Sequence, residues 1–188
     1  WRPCQRPSCP LNKPEDAEQI IEGESNVDFE ELHLLTPAIA WSSDSKKIAL
    51  AVKSGGKDAI YVIDLKSGYQ RKLDLLLEAI YSVDWSPDGS KLAFQGIRGD
   101  RSDIYICDTT GKNMVNLTQD IFSDSEPSWS PDNNTIYFTS DRRDNPIKKF
   151  SGTNFKIWDF DYNSKDIFSI DVKSVSYTHL TLPTSDLV

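Results

Sequence analysis

One phrase recurs in this chain at a fixed phase. Trp41-Ser42-Ser43-Asp44, Trp85-Ser86-Pro87-Asp88 and Trp129-Ser130-Pro131-Asp132 are three copies, and each lies 44 residues after the one before. Behind each copy comes a short run of strand-forming residues: Lys47-Ile48-Ala49-Leu50, Lys91-Leu92-Ala93-Phe94 and Thr135-Ile136-Tyr137-Phe138. A third element keeps the register, Ala59-Ile60-Tyr61-Val62-Ile63-Asp64 against Asp103-Ile104-Tyr105-Ile106-Cys107-Asp108. Arg71-Lys72-Leu73 and Val115-Asn116-Leu117 close the units.

Each unit therefore reads as four short strands. Ser86-Pro87-Asp88-Gly89 suits the hairpin between the first two. Proline presets φ, aspartate bonds its own downstream amides, and glycine tolerates positive φ. Asp64-Leu65-Lys66-Ser67-Gly68 and Asp108-Thr109-Thr110-Gly111 mark the turn between the third and fourth strands. A four-stranded unit repeating at roughly 40–45 residues is the signature of a β-propeller blade. A single blade cannot bury both faces, and stacking on neighbours does so. The recurrent tryptophan then fills the space between adjacent sheets. The fold class is all-β: a partial propeller of about three four-stranded blades from a larger ring.

The third unit departs from the template. Its third strand, Asp166-Ile167-Phe168-Ser169-Ile170-Asp171, comes 63 residues after its counterpart, so 19 extra residues fall between Ser140 and Lys165. This stretch holds Phe150, Phe155, Trp158, Phe160 and Tyr162, which favours an ordered excursion that packs or binds.

The ends read differently from the middle. Residues 1–18 are a linker or disordered lead, with Pro3, Pro7, Pro10 and Pro14 crowded into its first part. Gln19-Ile20-Ile21 looks like the last strand of an earlier blade, and blades occupy 19–174. Residues 175–188 break the pattern. Val175-Ser176-Tyr177-Thr178-His179-Leu180-Thr181-Leu182-Pro183-Thr184 resembles the in-frame translation of a sequencing adapter, so this tail is expected to be non-native. The remainder is then the middle of something longer.

Trp-Ser-Pro-Asp-Gly followed by Lys-Leu-Ala-Phe, and then Asp-Ile-Tyr-Ile-Cys-Asp, resembles the repeat of TolB-like propellers, the PD40 repeat. The likeness covers roughly residues 19 to 173 and departs mildly at Ser43, Ser45 and Asn133. The resemblance implies a bacterial, periplasmic or otherwise extracytoplasmic, non-enzymatic docking platform for a protein or peptide. Similar propellers also precede an α/β-hydrolase domain in prolyl-oligopeptidase-like serine peptidases, where they filter substrate access. That is the competing expectation for a longer chain.

The residues themselves offer little chemistry. There is no Gly-x-Ser-x-Gly elbow, and His33 is the one histidine outside the tail, with a structural role expected of it. No catalytic residue, cofactor or metal site is expected. Cys107 reads as a small buried apolar residue; Cys4 and Cys9 lack the spacing and second pair of a zinc site. Asp159-x-Asp161-x-Asn163 lacks the later glycine and acid of a calcium loop. Gly55-Gly56 and Gly96 to Gly99 are assigned to hairpin loops, and no phosphate-binding turn is present. With 21 basic and 29 acidic residues the net charge is −8, which disfavours nucleic acid. Mean hydropathy is −0.49, and no apolar run is long enough to span a bilayer.

The remaining signal is positional. Loops from each fourth strand to the next first strand should cluster at one mouth of the central channel. They carry Asp28, Glu30 and Glu31, then Glu78, then Asp120, Asp124 and Glu126, with no lysine or arginine in these stretches. A negative potential there would suit a basic protein or peptide, with Phe29, Tyr81 and Phe122 adding apolar contact area.

Overall fold

The computed structural model describes residues 31–32, 39–142, 165–174 and 176–179. Three antiparallel sheets are strung along them. The first contains β1 (Glu31–Leu32), β2 (Ile39–Trp41), β3 (Lys47–Ser54), β4 (Lys57–Asp64) and β5 (Gln70–Leu73). The second contains β6 (Ala79–Trp85), β7 (Lys91–Arg98), β8 (Arg101–Asp108) and β9 (Val115–Asn116). The third contains β10 (Asp124–Trp129), β11 (Thr135–Ser140), β12 (Asp166–Asp171) and β13 (Ser176–His179). Strand order follows the chain in the second and third, so each is a simple meander.

The first strand of each blade is irregular at one place. In β6 two residues oppose one of β7 between Ile80 and Val83, and β10 repeats this between Ser125 and Ser128. In the first blade residues 33–38, outside the described ones, fall at the same position. Leu32 pairs with Val52 and Ile39 with Leu50, so β1 and β2 are the two halves of one strand. A bulge leaves residues unpaired and bends the strand, so it is where extra residues are accommodated most readily.

The first strand also makes the junction with the preceding blade. β6 packs on β2, β3 and β4, and β10 packs on β6, β7 and β8. Trp85 joins a buried cluster with Ala49, Ala51, Ile60 and Val62 of the first blade. Trp129 shares its cluster with Ala93, Ile104 and Ile106 of the second. The two rings are 6 % and 8 % exposed, whereas Trp41, with no described blade before it, is 57 % exposed. The inter-blade role expected of the tryptophan therefore holds at both described junctions.

Polar ties run alongside. The Asp84 carboxylate accepts the backbone N–H of Trp85 at 2.8 Å and that of Trp129 at 2.6 Å. Asn133 Nδ2 donates to Asp88 at 2.8 Å, joining the turns of the second and third blades. Asp58 accepts the Ile80 N–H at 2.9 Å, and Ser102 Oγ donates to the Asp124 carbonyl at 2.8 Å.

The repeated aspartates build the turns at one end of the blades. Asp88 accepts from Ser86 Oγ (2.7 Å), Ser90 N (2.9 Å) and Ser90 Oγ (2.8 Å). Asp44 and Asp132 close the corresponding turns. Gly89 adopts φ 72°, and Ser45 and Asn133 take the same left-handed conformation at 58° and 62°. Asp64, Asp108 and Asp171 cap the other turns at this end through Ser67, Thr110 and Ser174. One glycine assignment is corrected here. Gly96 belongs to strand β7, not a hairpin loop; a Cβ on it would stand 2.6 Å from Leu77 Cδ1 and 2.9 Å from the Tyr105 ring.

Residues 1–30, 33–38, 143–164, 175 and 180–188 lie outside the description. With them lie the proline-rich lead, the strand expected at Gln19-Ile20-Ile21, His33, Cys4, Cys9, Asp159 and the aromatic excursion. Within the tail that the sequence sets apart, Ser176–His179 pairs with β12 as the outer strand of its blade.

Candidate functional site

Antiparallel alternation fixes what meets at the other end of the blades. There the chain enters each first strand and turns from second to third, so 74–78, 117–123, 99–100 and 141–142 converge. Of the seven acids expected at this mouth, Asp28 and Glu30 fall outside the described residues. Glu31 starts β1, in register with Lys53.

The other four take different roles. Glu78 Oε1 accepts the Gly99 N–H at 2.9 Å, tying its loop to the β7–β8 hairpin. Glu126 is exposed and sits on the β10 bulge at φ 56°. Asp120 accepts the Phe122 N–H at 2.8 Å. Asp124 is fully buried, as the first residue of β10.

An arginine that the loop count did not include reaches the last two. Arg142 follows β11, and its Nη2 donates to Asp124 Oδ2 at 2.6 Å and lies 3.0 Å from Asp120 Oδ2. Its Nε donates to Ser140 Oγ at 2.9 Å. The guanidinium also stands 5.7, 5.2 and 5.4 Å from the ring centres of Phe122, Phe138 and Phe168. Guanidinium over an aromatic face is attractive, and more so when desolvated. Phe122 is thus buried beneath the mouth rather than offered for contact. Basic residues of the adjoining hairpins, Lys57, Arg98 and Arg101, share this end as well. The negative field expected from the loops alone is correspondingly diluted.

Burial pushes the Asp124 carboxyl up to about 6, while Arg142, Ser140 and Thr118 pull the other way. Burial likewise raises Asp103, which Asn116 opposes. Away from the mouth, burial lifts the Cys107 thiol to about 12, leaving it unreactive. No group of three metal-ligating side chains occurs among the described residues.

The mouth has an apolar component that pattern reading did not isolate. Leu76 is 84 % exposed and Ile121 59 %, in neighbouring loops of this end. Leu75 and Leu77, which flank Leu76, are both buried, so nothing in the local run of leucines marks the middle one as outward.

Four-stranded meanders stacked through their first strands define a β-propeller, here described as an arc of three blades. Family comparison makes this specific: the TolB beta propeller domain model, PD40, matches residues 24–181, and the chain belongs to that family. No curated protein sequence matches. Among solved structures, a putative TolB from Agrobacterium tumefaciens is similar at 21 % identity and TM-score 0.58, covering 74 % of this chain and 47 % of its own. TolB from Acinetobacter baumannii is similar at 24 % identity and TM-score 0.55, covering 77 % and 32 %. The tricorn protease shares the fold at 20 % identity and TM-score 0.54, covering 71 % and 13 %. The chain thus spans less than half the length of these structures. No helix among the described residues is long and apolar enough to cross a membrane.

Proposed function

We propose that the chain is a non-enzymatic protein-binding module, working outside the cytoplasm and docking a protein or peptide through its mouth loops. The observation that carries this reading is the outward placement of Leu76 and Ile121 on adjacent loops anchored to rigid blades. Large apolar side chains held in solvent on a stiff scaffold are typical of contact surfaces. Glu78 and Glu126, at the same end of the blades, favour a partner that offers apolar side chains flanked by positive charge. The extracytoplasmic setting rests on kinship with TolB-like propellers.

Synthetic peptides of alternating leucine and lysine, with leucine and glutamate as the opposite charge, test it by fluorescence anisotropy. The lysine series should bind, and Leu76→Asp with Ile121→Asp should weaken binding at least about tenfold. Tyr69→Asp, exposed near the opposite turns, should leave it unchanged. Equal binding of both series, or none, rejects the reading.

The likeness to the tricorn protease supports a second reading, a propeller gating a peptidase domain carried elsewhere in a longer chain. A fluorophosphonate probe on the full-length product of the gene would label a serine nucleophile in that case.

A further inference from the structure

The two blade junctions repeat each other position by position, and at one place their chemistry is opposite. Leu76, Ile80 and Arg98 at the first junction correspond, 44 residues on, to Asp120, Asp124 and Arg142 at the second. Ile80 is a buried apolar residue; Asp124 is just as buried. Arg98 donates to the Leu76 carbonyl at 3.2 Å, while Arg142 turns inward to two carboxylates. Two carboxylates thus share one guanidinium, and one of them stands where the other junction buries an isoleucine side chain.

Their hydrogen bonds do not complete the set. Arg142 serves Asp124 Oδ2. The second oxygen, Oδ1, of Asp124 is buried without a hydrogen-bond partner, while the Ser140 and Thr118 hydroxyls favour its charged form. A buried anionic oxygen without a donor favours its protonated form.

The charged and titratable groups on the packed elements do not supply the missing charge. β8 brings Arg101, Asp103, Tyr105, Cys107 and Asp108; β7 brings Lys91 and Arg98; β6 brings Tyr81 and Asp84, the latter already engaged by two amides. β10 adds Glu126, β11 Tyr137, the residues after it Asp141, and β12 Asp166. Lys165 Nζ is placed on Ser125 Oγ at 2.8 Å.

We propose that this junction is a proton-operated latch: Asp124 takes up a proton as its surroundings acidify, and Arg142 then passes wholly to Asp120 and tightens the 117–123 loop. Asp120 is the member of the cluster that sits in that loop, where it also holds the Phe122 amide. Ile121, exposed between them, is the residue whose presentation the latch controls. The proposal is independent of what the mouth binds.

Carboxyl-carbon NMR of the aspartate-labelled chain, titrated from pH 4 to 8, reads the proton directly. Asp124 should titrate near 6, consistent with its burial, whereas titration near 4 overturns the proposal. A group whose folded pKa is raised contributes stability below its unfolded value and loses it as pH rises through the folded one. The folding constant from urea unfolding should therefore strengthen about tenfold at this site between pH 7.5 and 5. Asp124→Asn and Asp124→Ile, the latter restoring the residue of the first junction, should abolish that gain. An unchanged pH slope in both rejects the idea. After correction for intrinsic rates, the Phe122 amide should exchange more slowly at pH 5 than at 7.5 in the parent chain. Equal exchange leaves no latch. Should the variants not fold, the carboxyl titration and the amide exchange of the parent chain decide the matter.

Discussion

The Asp84 carboxylate, on the first strand of the second blade, accepts the backbone N–H of Trp129, on the first strand of the third, at 2.6 Å. Its other oxygen accepts the N–H of Trp85 at 2.8 Å, so one side chain holds two copies of the repeated tryptophan. A carboxylate on two partly buried amides makes charge-assisted bonds, stronger than neutral ones.

Asp84→Ala should therefore destabilise the chain by about 1–3 kcal/mol, because it strands amide donors at a packed junction. Asp84→Asn, which keeps one acceptor oxygen, should cost less. Urea denaturation of the three proteins checks the order.

The tryptophans themselves separate the junctions. Trp85→Ala removes a large ring buried between two blades and should cost about 3–5 kcal/mol. Trp41→Ala, at the equivalent position on an uncovered strand, should cost about 1 kcal/mol or less. Equal losses would show that Trp41 is covered in solution.

Strong acid should destabilise the chain through its turns. Hydrogen bonds from turn amides and hydroxyls hold Asp44, Asp64, Asp88, Asp108, Asp132 and Asp171 below the usual carboxylate range. Groups with depressed folded pKa values contribute stability above their unfolded value, here 3.8, and lose it as pH falls through the folded one. The melting temperature should thus decline steeply below about pH 4, a window separate from the Asp124 titration. Asp88→Asn should flatten part of that decline; circular dichroism melts from pH 6 to 2 measure it.

Much of the fold was legible because the repeat states the same physical requirements more than once. Trp85 and Trp129, the Ser-Pro-Asp turns and the glycine at 89 each report a local need, for a ring between sheets or a positive φ. Where glycine is missing, Ser45 and Asn133 bear the strain, and the turn survives because its aspartate is still there. The mouth was legible only in outline. Asp124 looks like a loop acid beside its neighbours, yet it is buried, because its partner lies eighteen residues away on the other side of a hairpin. Likewise, three consecutive leucines carry no sign of which one faces out; the bend of the loop decides it. Local sequence sets turns and strand faces, whereas charge pairing across strands depends on register.

The unlike ties at the two junctions also specify blade order. At matching places Asp58 accepts an amide from Ile80, whereas Ser102 donates to the carbonyl of Asp124. Were the third blade to settle on the first during folding, the Asp58 carboxylate would lie beside the buried Asp124, whose guanidinium is already shared with Asp120. Blades built on one template are thereby kept from exchanging seats, and the misassembly to which repeat proteins are prone is discouraged by a single position per junction.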